Sequence, residues 1–447
     1  MAVVHGTVAA DAVKEDLAVA HGTVAADAVK EDLAVAHGTV AADAVKEDLL
    51  AGERAPIECA HMSGAIVITG LGVVSVAGVG REAFARTLAS GARTLDGATN
   101  GVLRIADFGA KAVIDPKALR RMARLTQLAL VAGKQALAMS APTAHADRSG
   151  IVLGTGLGAL KETCDFLGGW IDSGAEGASP LLFPSSVMNA AAGQMAMELG
   201  WRGVNSTVNH REHSTLGALS LACDFLALGR ADVILCGAVD EAGDAAAQGY
   251  RAFGALSPTG VRPFARDRDG TILGEGAAVF VLEREADARA RGAQILARVA
   301  GFSSTGNDRP RIGWGMSDKM KEPARAISEA LAAAGVPASS VDWIAASACG
   351  LPLDDLEAHT LAAAVPGRPL SAIAGQTAES MASGAQRIAA AVIALADQTI
   401  PGTLTSEKVE PSIAEALVRP SRSARVDTVL VPSISEGGAN AALVLTR

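Results

Sequence analysis

The densest group of residues able to do chemistry is His210-Arg211-Glu212-His213-Ser214, where two imidazoles, a guanidinium, a carboxylate and a hydroxyl fall within five positions. His-x-Glu is half of a zinc-deaminase signature. The Pro-Cys-x-x-Cys half is absent from the sequence, and side chains at a helix start point different ways, so no metal site is assigned. Ser214 beside His213 could pair as nucleophile and base. Adjacent residues at a helix start do not readily hydrogen-bond side chain to side chain, and no acid is evident to orient the imidazole. Ser214 and Thr215 read better as caps of the helix that follows. Glu212 remains, a carboxylate that a helix N-terminus would favour.

Other candidates are weaker. Five cysteines (Cys59, Cys164, Cys223, Cys236, Cys349) are dispersed without a Cys-x-x-Cys pair, which points to reduced thiols rather than a disulfide frame or zinc site. Cys349 reads as a buried core thiol. Gly154–Gly158, GTGLG, is half of a nucleotide-binding fingerprint, but no acidic ribose ligand follows at the expected distance, and it reads as a tight turn. No nucleotide or metal cofactor is implied.

The elements that must hold these residues follow from the 447-residue sequence, 49% hydrophobic and 19% charged, enough for one large or two medium domains. A net charge of -9 argues against nucleic acid as the main partner. The longest uncharged run, between Glu176 and Glu198, contains Pro180, Pro184, Ser185, Ser186, Asn189 and Gln194 and would span a membrane poorly. No stretch has the form of a signal peptide, and the expectation is a soluble, cytoplasmic protein.

Residues 1–61 stand apart. A unit AHGTVAADAVKEDLAV recurs at a sixteen-residue interval marked by His5, His21 and His37, with too few large apolar side chains to build a core. A disordered or loosely helical tail is expected, with the folded part opening near Met62. Beyond it, short apolar strands alternate with amphipathic helices, the pattern of a layered α/β fold. Strands are expected at 65–75, 150–154, 204–209, 231–241, 342–346, 370–374, 427–432 and 439–445. Helices are expected at 120–137, 214–228, 323–334, 354–364 and 383–397. The repeated rhythm implies a duplicated core, with halves at 62–305 and 306–447.

Four stretches, in order and spacing, resemble the β-ketoacyl-acyl-carrier-protein synthase family: Phe183–Val208 (FPSSVMNAAAGQMAMELGWRGVNSTV), Ala255–Glu283 (ALSPTGVRPFARDRDGTILGEGAAVFVLE), Asp354–Leu361 (DDLEAHTL) and Glu436–Leu445 (EGGANAALVL). The resemblance implies a thiolase-like fold of two β/α halves in a five-layer α-β-α-β-α stack. It also implies chemistry by a cysteine thiolate at a helix N-terminus, two histidines and a backbone oxyanion hole.

Matched residue by residue, the family's cysteine position holds Glu212, its first histidine Ser347, its second Gln376 and its gating phenylalanine Glu436. The supporting lysine is Ser371. The non-catalytic members of the family, the chain-length factors of type II polyketide systems, also lack the cysteine. The sequence is therefore similar to a chain-length-factor-like partner, with Glu in place of their usual Gln. Implied partners are an active ketosynthase subunit in a heterodimer, or a second copy of this chain, and an acyl carrier protein. Residues around Phe183 to Met188, in the segment that resembles the family's dimer interface, are candidates to bound product length. The enzyme alternative within the same family is acyl condensation, malonyl decarboxylation or hydrolysis, with Glu212 and Glu436 as a paired-carboxylate site in the substrate pocket.

Overall fold

A computed structural model describes residues 65–92, 98–143, 145–307 and 316–447. The expected tail at 1–61 lies outside the described residues. Ten strands carry the architecture: β1 (Ile66–Ser75), β2 (Ser149–Gly154), β3 (Asn205–Val208), β4 (Val233–Asp240), β5 (Gly276–Arg284), β6 (Ala297–Gly306), β7 (Trp343–Ala345), β8 (Leu370–Ser371), β9 (Thr428–Ile434) and β10 (Ala439–Thr446). They hydrogen-bond in the order β3-β2-β4-β5-β1-β6-β10-β9-β7-β8, with the two-residue strand Gly78–Val79 folded back on β1.

Read outward from the centre, the two groups of five are the same. β1 and β6 each run antiparallel to the last strand of their group, which runs antiparallel to the fourth, and the remaining pairs are parallel. The fold is therefore a duplicated mixed α/β sheet. The groups join through three pairs only, Ile66↔Val299, Val67↔Arg298 and Ile68↔Ala297. β6 pairs along its whole length with β10. By strand order, then, the second half opens at Ala297 rather than at residue 306.

The layering follows from strand alternation, which sends successive side chains to opposite faces. In β5, Ala278, Phe280 and Leu282 enter one apolar cluster while Ala277, Val279 and Val281 enter another. In β10, Ala441, Leu443 and Leu445 join the first cluster, whereas Ala442 and Val444 join a third. The shared cluster holds helices α4 (Ser214–Ala227) and α7 (Ser383–Asp397), through residues such as Leu216, Leu219, Ile388 and Val392. The outer face of the first sheet carries α1 (Arg124–Ser140) and α3 (Ala190–Leu199). That of the second carries α5 (Met316–Ala333) and α6 (Leu353–Ala364). Helix, sheet, helix, sheet and helix make the five layers. The middle one is so enclosed that every residue of α7 from Gly384 to Leu395 is buried.

Small residues permit the close stacking that a sequence poor in aromatics needs. A Cβ added at Gly72 in β1 would lie 1.9 Å from the Ala132 carbonyl oxygen of α1. No described helix is long and apolar enough to cross a membrane.

Several boundaries differ from expectation. α1 begins at Arg124, because Pro116–Leu119 forms a separate helical turn with Asp115 as its cap. α5 begins at Met316 and carries Pro323 within it, although proline favours a first turn. The strand expected at 370–374 stops at Ser371, and Ala374–Thr377 turns into a short helix. Helix α2 (Leu160–Ser173) was not expected from the sequence.

Candidate functional site

Glu212 occupies the middle of a 3₁₀ turn, Arg211–His213, that runs straight into α4. Arg211 has φ 55°, in the left-handed region that a side chain adopts only at a cost of about 1 kcal/mol. That turn delivers Glu212 to the start of a helix buried between the two sheets. Its carboxylate is bound, not free. Oε2 accepts from Ser435 Oγ at 2.7 Å, and Arg211 donates to Oε1 at 3.3 Å. The Glu212 carbonyl accepts from Ser433 Oγ at 3.2 Å. The end of β9 thus clamps the turn.

Ser214 is the first helical residue rather than a cap. Its hydroxyl accepts from the His210 N–H at 2.9 Å and faces the carbonyls of Thr155 and Arg211 at 2.9 and 2.6 Å. A hydroxyl so engaged is not a nucleophile. His213 is buried, with Nε2 3.3 Å from Ser304 Oγ, and burial plus the neighbouring His210 pushes its pKa down to about 4. The two rings stack with centroids 6.3 Å apart. Among the described residues, no group of three or more His, Cys, Asp or Glu could hold a metal. His210, Arg211, His213, Ser304 and Ser435 line an open cleft of about 620 Å³.

Glu436 does not join Glu212. It is exposed on the turn after β9, and its neighbour Ser435 takes the carboxylate instead. The paired-carboxylate arrangement is not formed, because the chain turns after Ser435 and carries Glu436 out to solvent.

Ser347 and Gln376 are held by different partners. The Ser347 N–H and hydroxyl both donate to Glu357 Oε1, at 2.7 and 2.8 Å. Gln376 is fully buried and donates its amide to the Gly402 carbonyl at 3.2 Å. Cys349 is a free thiol whose pKa is driven well up by burial and by the carboxylates of Glu379, Asp354 and Glu357, which makes it a poor nucleophile. The GTGLG turn is filled from within. Thr155 Oγ1 and the N–H groups of Gly156 and Leu157 all donate to the Asp240 carboxylate, at 2.7 to 3.1 Å.

The buried charges are what the sequence did not disclose. Asp354 accepts from the N–H groups of Phe264, Cys349 and Gly350 and so ties the RPF and DDLEA segments together. Arg387, in the second turn of α7, donates to the carbonyls of Ala345 and Pro432. Burial lowers its pKa, against the pull of Glu357 and Glu379. Burial raises Glu357 to about 7 and Glu379 to about 8, with Glu212 adding to the Glu379 shift. The available signal was a charge inside an apolar helix, Arg387 within SGAQRIAAAVIALAD. The cavity that reaches Glu379 from the β4 side measures about 10 Å³, room for about one water.

The sequence matches two family models, "Beta-ketoacyl synthase, N-terminal domain" over residues 63–288 and "Beta-ketoacyl synthase, C-terminal domain" over 296–407. It is 31% identical over 417 residues to a polyketide β-ketoacyl synthase 1 of Streptomyces cyaneus, covering 86% of this chain and 98% of that one. It is 30% identical over 423 residues to the 3-oxoacyl-[acyl-carrier-protein] synthase 2 of Rhizobium meliloti (strain 1021), with coverage of 86% and 98%. The fold is similar to that of the ishigamide ketosynthase/chain length factor, with TM-score 0.78, 27% identity and coverage of 86% and 99%. It is also similar to a ketosynthase (ApeO) in complex with its chain length factor (ApeC) from Xenorhabdus doucetiae. There the TM-score is 0.74 at 19% identity, covering 86% and 98%, a likeness of fold alone.

Proposed function

Given that the chain belongs to the β-ketoacyl synthase family, we propose that it is a catalytically silent subunit. It completes a heterodimer with an active ketosynthase in fatty acid or type II polyketide synthesis and bounds the length of the product. One observation carries this reading. The helix start where the family's chemistry needs a thiolate presents Glu212, whose carboxylate is already spent on Ser435. Ser347 and Gln376, matched to the histidine positions, are tied to Glu357 and Gly402 and offer no imidazole.

The surface supports a partner role. β3 ends the sheet and carries an open edge. Beside it Leu181, Phe183, Met188 and Met197 are exposed, Leu181 at 89%. An open strand edge flanked by apolar side chains invites pairing with a second chain. The similarity to the ishigamide ketosynthase/chain length factor fits a ketosynthase as that chain. An acyl carrier protein would then bring substrate to the active subunit.

The test is co-expression with a ketosynthase encoded beside this chain. A stable one-to-one complex is expected, with condensing activity per complex unchanged by Glu212→Ala. Malonyl decarboxylation, or covalent acyl loading of this chain alone, abolished by Glu212→Ala, overturns the reading.

A further inference from the structure

Past the end of β4, Glu241, Tyr250, Glu379 and Ser380 line the small cavity together with the apolar Leu273 and Met381. At about 10 Å³ it admits one water-sized sphere. Its polar groups do not satisfy one another. Glu241 is 6% exposed, and neither carboxylate oxygen has a hydrogen-bond partner among the described residues. The Ser380 hydroxyl, on a residue also 6% exposed, has none either. Glu379 Oε1 accepts only a long bond from Ser383 Oγ, at 3.3 Å. Asp240, on the same wall, is different, because the Thr155–Leu157 turn saturates it.

Charge sharpens the problem. Two carboxylates face one void, and they are not equally served by cations. Arg387 acts on Glu379, whereas on the Glu241 side Arg124 is forked onto Glu275 and Lys161 pairs with Asp165. Glu162, from α2, adds further negative charge near Glu241. A buried carboxylate with no donor is costly, and a neutral water would supply hydrogen bonds without balancing the charge.

We propose that this cavity binds one dehydrated monovalent cation of sodium's size, held by the Glu241 carboxylate with Ser380 Oγ, Tyr250 Oη and Glu379 as further oxygen donors. Oxygen ligands suit a hard cation. The small volume favours sodium over potassium. A divalent ion demands more anionic and carbonyl ligands than converge here, and no cluster of three or more His, Cys, Asp or Glu among the described residues provides them.

The experiment is a thermal melt of the full chain, with its partner if the two co-purify, at pH 8.5 in NaCl, KCl or choline chloride at equal ionic strength. A ligand bound only by the folded state raises the midpoint, here by about 2 to 4 °C in NaCl over choline chloride. The rise should be smaller in KCl, absent in Glu241→Gln and reduced in Ser380→Ala. A crystal grown in NaCl should show a density peak between Glu241 and Ser380 with oxygen contacts shorter than those a water makes. Equal midpoints in NaCl and choline chloride, or a sodium effect retained in Glu241→Gln, overturn the proposal. So does electron density in the cavity that fits water only, a readout that stands even if the variants fail to fold.

Discussion

At the scale of single residues, the interior holds several acids whose pKa values burial raises. Burial raises Asp240 and Asp354 to about 6, Glu241 and Glu357 to about 7, and Glu379 to about 8, from ordinary values of 3.8 and 4.5. A folded-state pKa above the unfolded one contributes stability that is complete below the unfolded value and lost as pH rises through the folded value. Stability should therefore fall between about pH 5 and pH 8, by up to roughly 1 kcal/mol per pH unit for each group titrating. His213 acts in the opposite sense. Its pKa is depressed to about 4, so its contribution is present above 6.5 and lost as pH falls towards 4. Urea midpoints taken from pH 4 to 9 should be highest at the acid end of that range, because five acids outweigh one histidine, and should fall most steeply through pH 5 to 8. Glu379→Gln should flatten the descent on the alkaline side, and a descent of unchanged slope would refute the assignment.

At the scale of elements, much was legible and the exceptions have physical causes. The strands at 66–75, 233–240, 428–434 and 439–446 were readable because central strands buried on both faces are nearly unbroken apolar runs. α4 and α7 were readable from their apolar spacing. The edge strand β8, only two residues long, carries too little pattern to bound. The site was legible only in part. The position of Glu212 came from its match to the family's cysteine position, but Ser435, Glu357 and Glu379 depend on contacts across long separations that no local pattern records. Element packing also makes a prediction. Gly72→Ala would set a methyl against the Ala132 carbonyl and force α1 off the sheet. The expected loss is about 3 kcal/mol, the upper end for overpacking, read as a lower urea midpoint with the same slope.

At the scale of the whole molecule, the open edge decides how the chain meets others. The ladder with β2 turns Val204 and Val208 inward, since their carbonyls accept from Ile151 and Thr155, and it leaves Thr207 facing outward. Thr207→Pro should therefore spare the fold yet remove a donor that strand pairing with a partner requires. Size exclusion of the co-expressed pair should show two separate chains for Thr207→Pro, and again for Phe183→Asp in the exposed apolar patch. Retention of a one-to-one complex by both variants would place the interface elsewhere.

The enclosed middle layer has a consequence for how this chain can be divided. α4 comes from the first half and α7 from the second, yet the two lie in one apolar cluster with strands of both sheets. A polypeptide severed between Arg291 and Ala297 would leave each fragment with half of a filling that neither can roof alone. Such fragments should be insoluble apart and regain structure on mixing, at a rate second order in their concentration, the kinetics of a bimolecular encounter replacing those of a single chain.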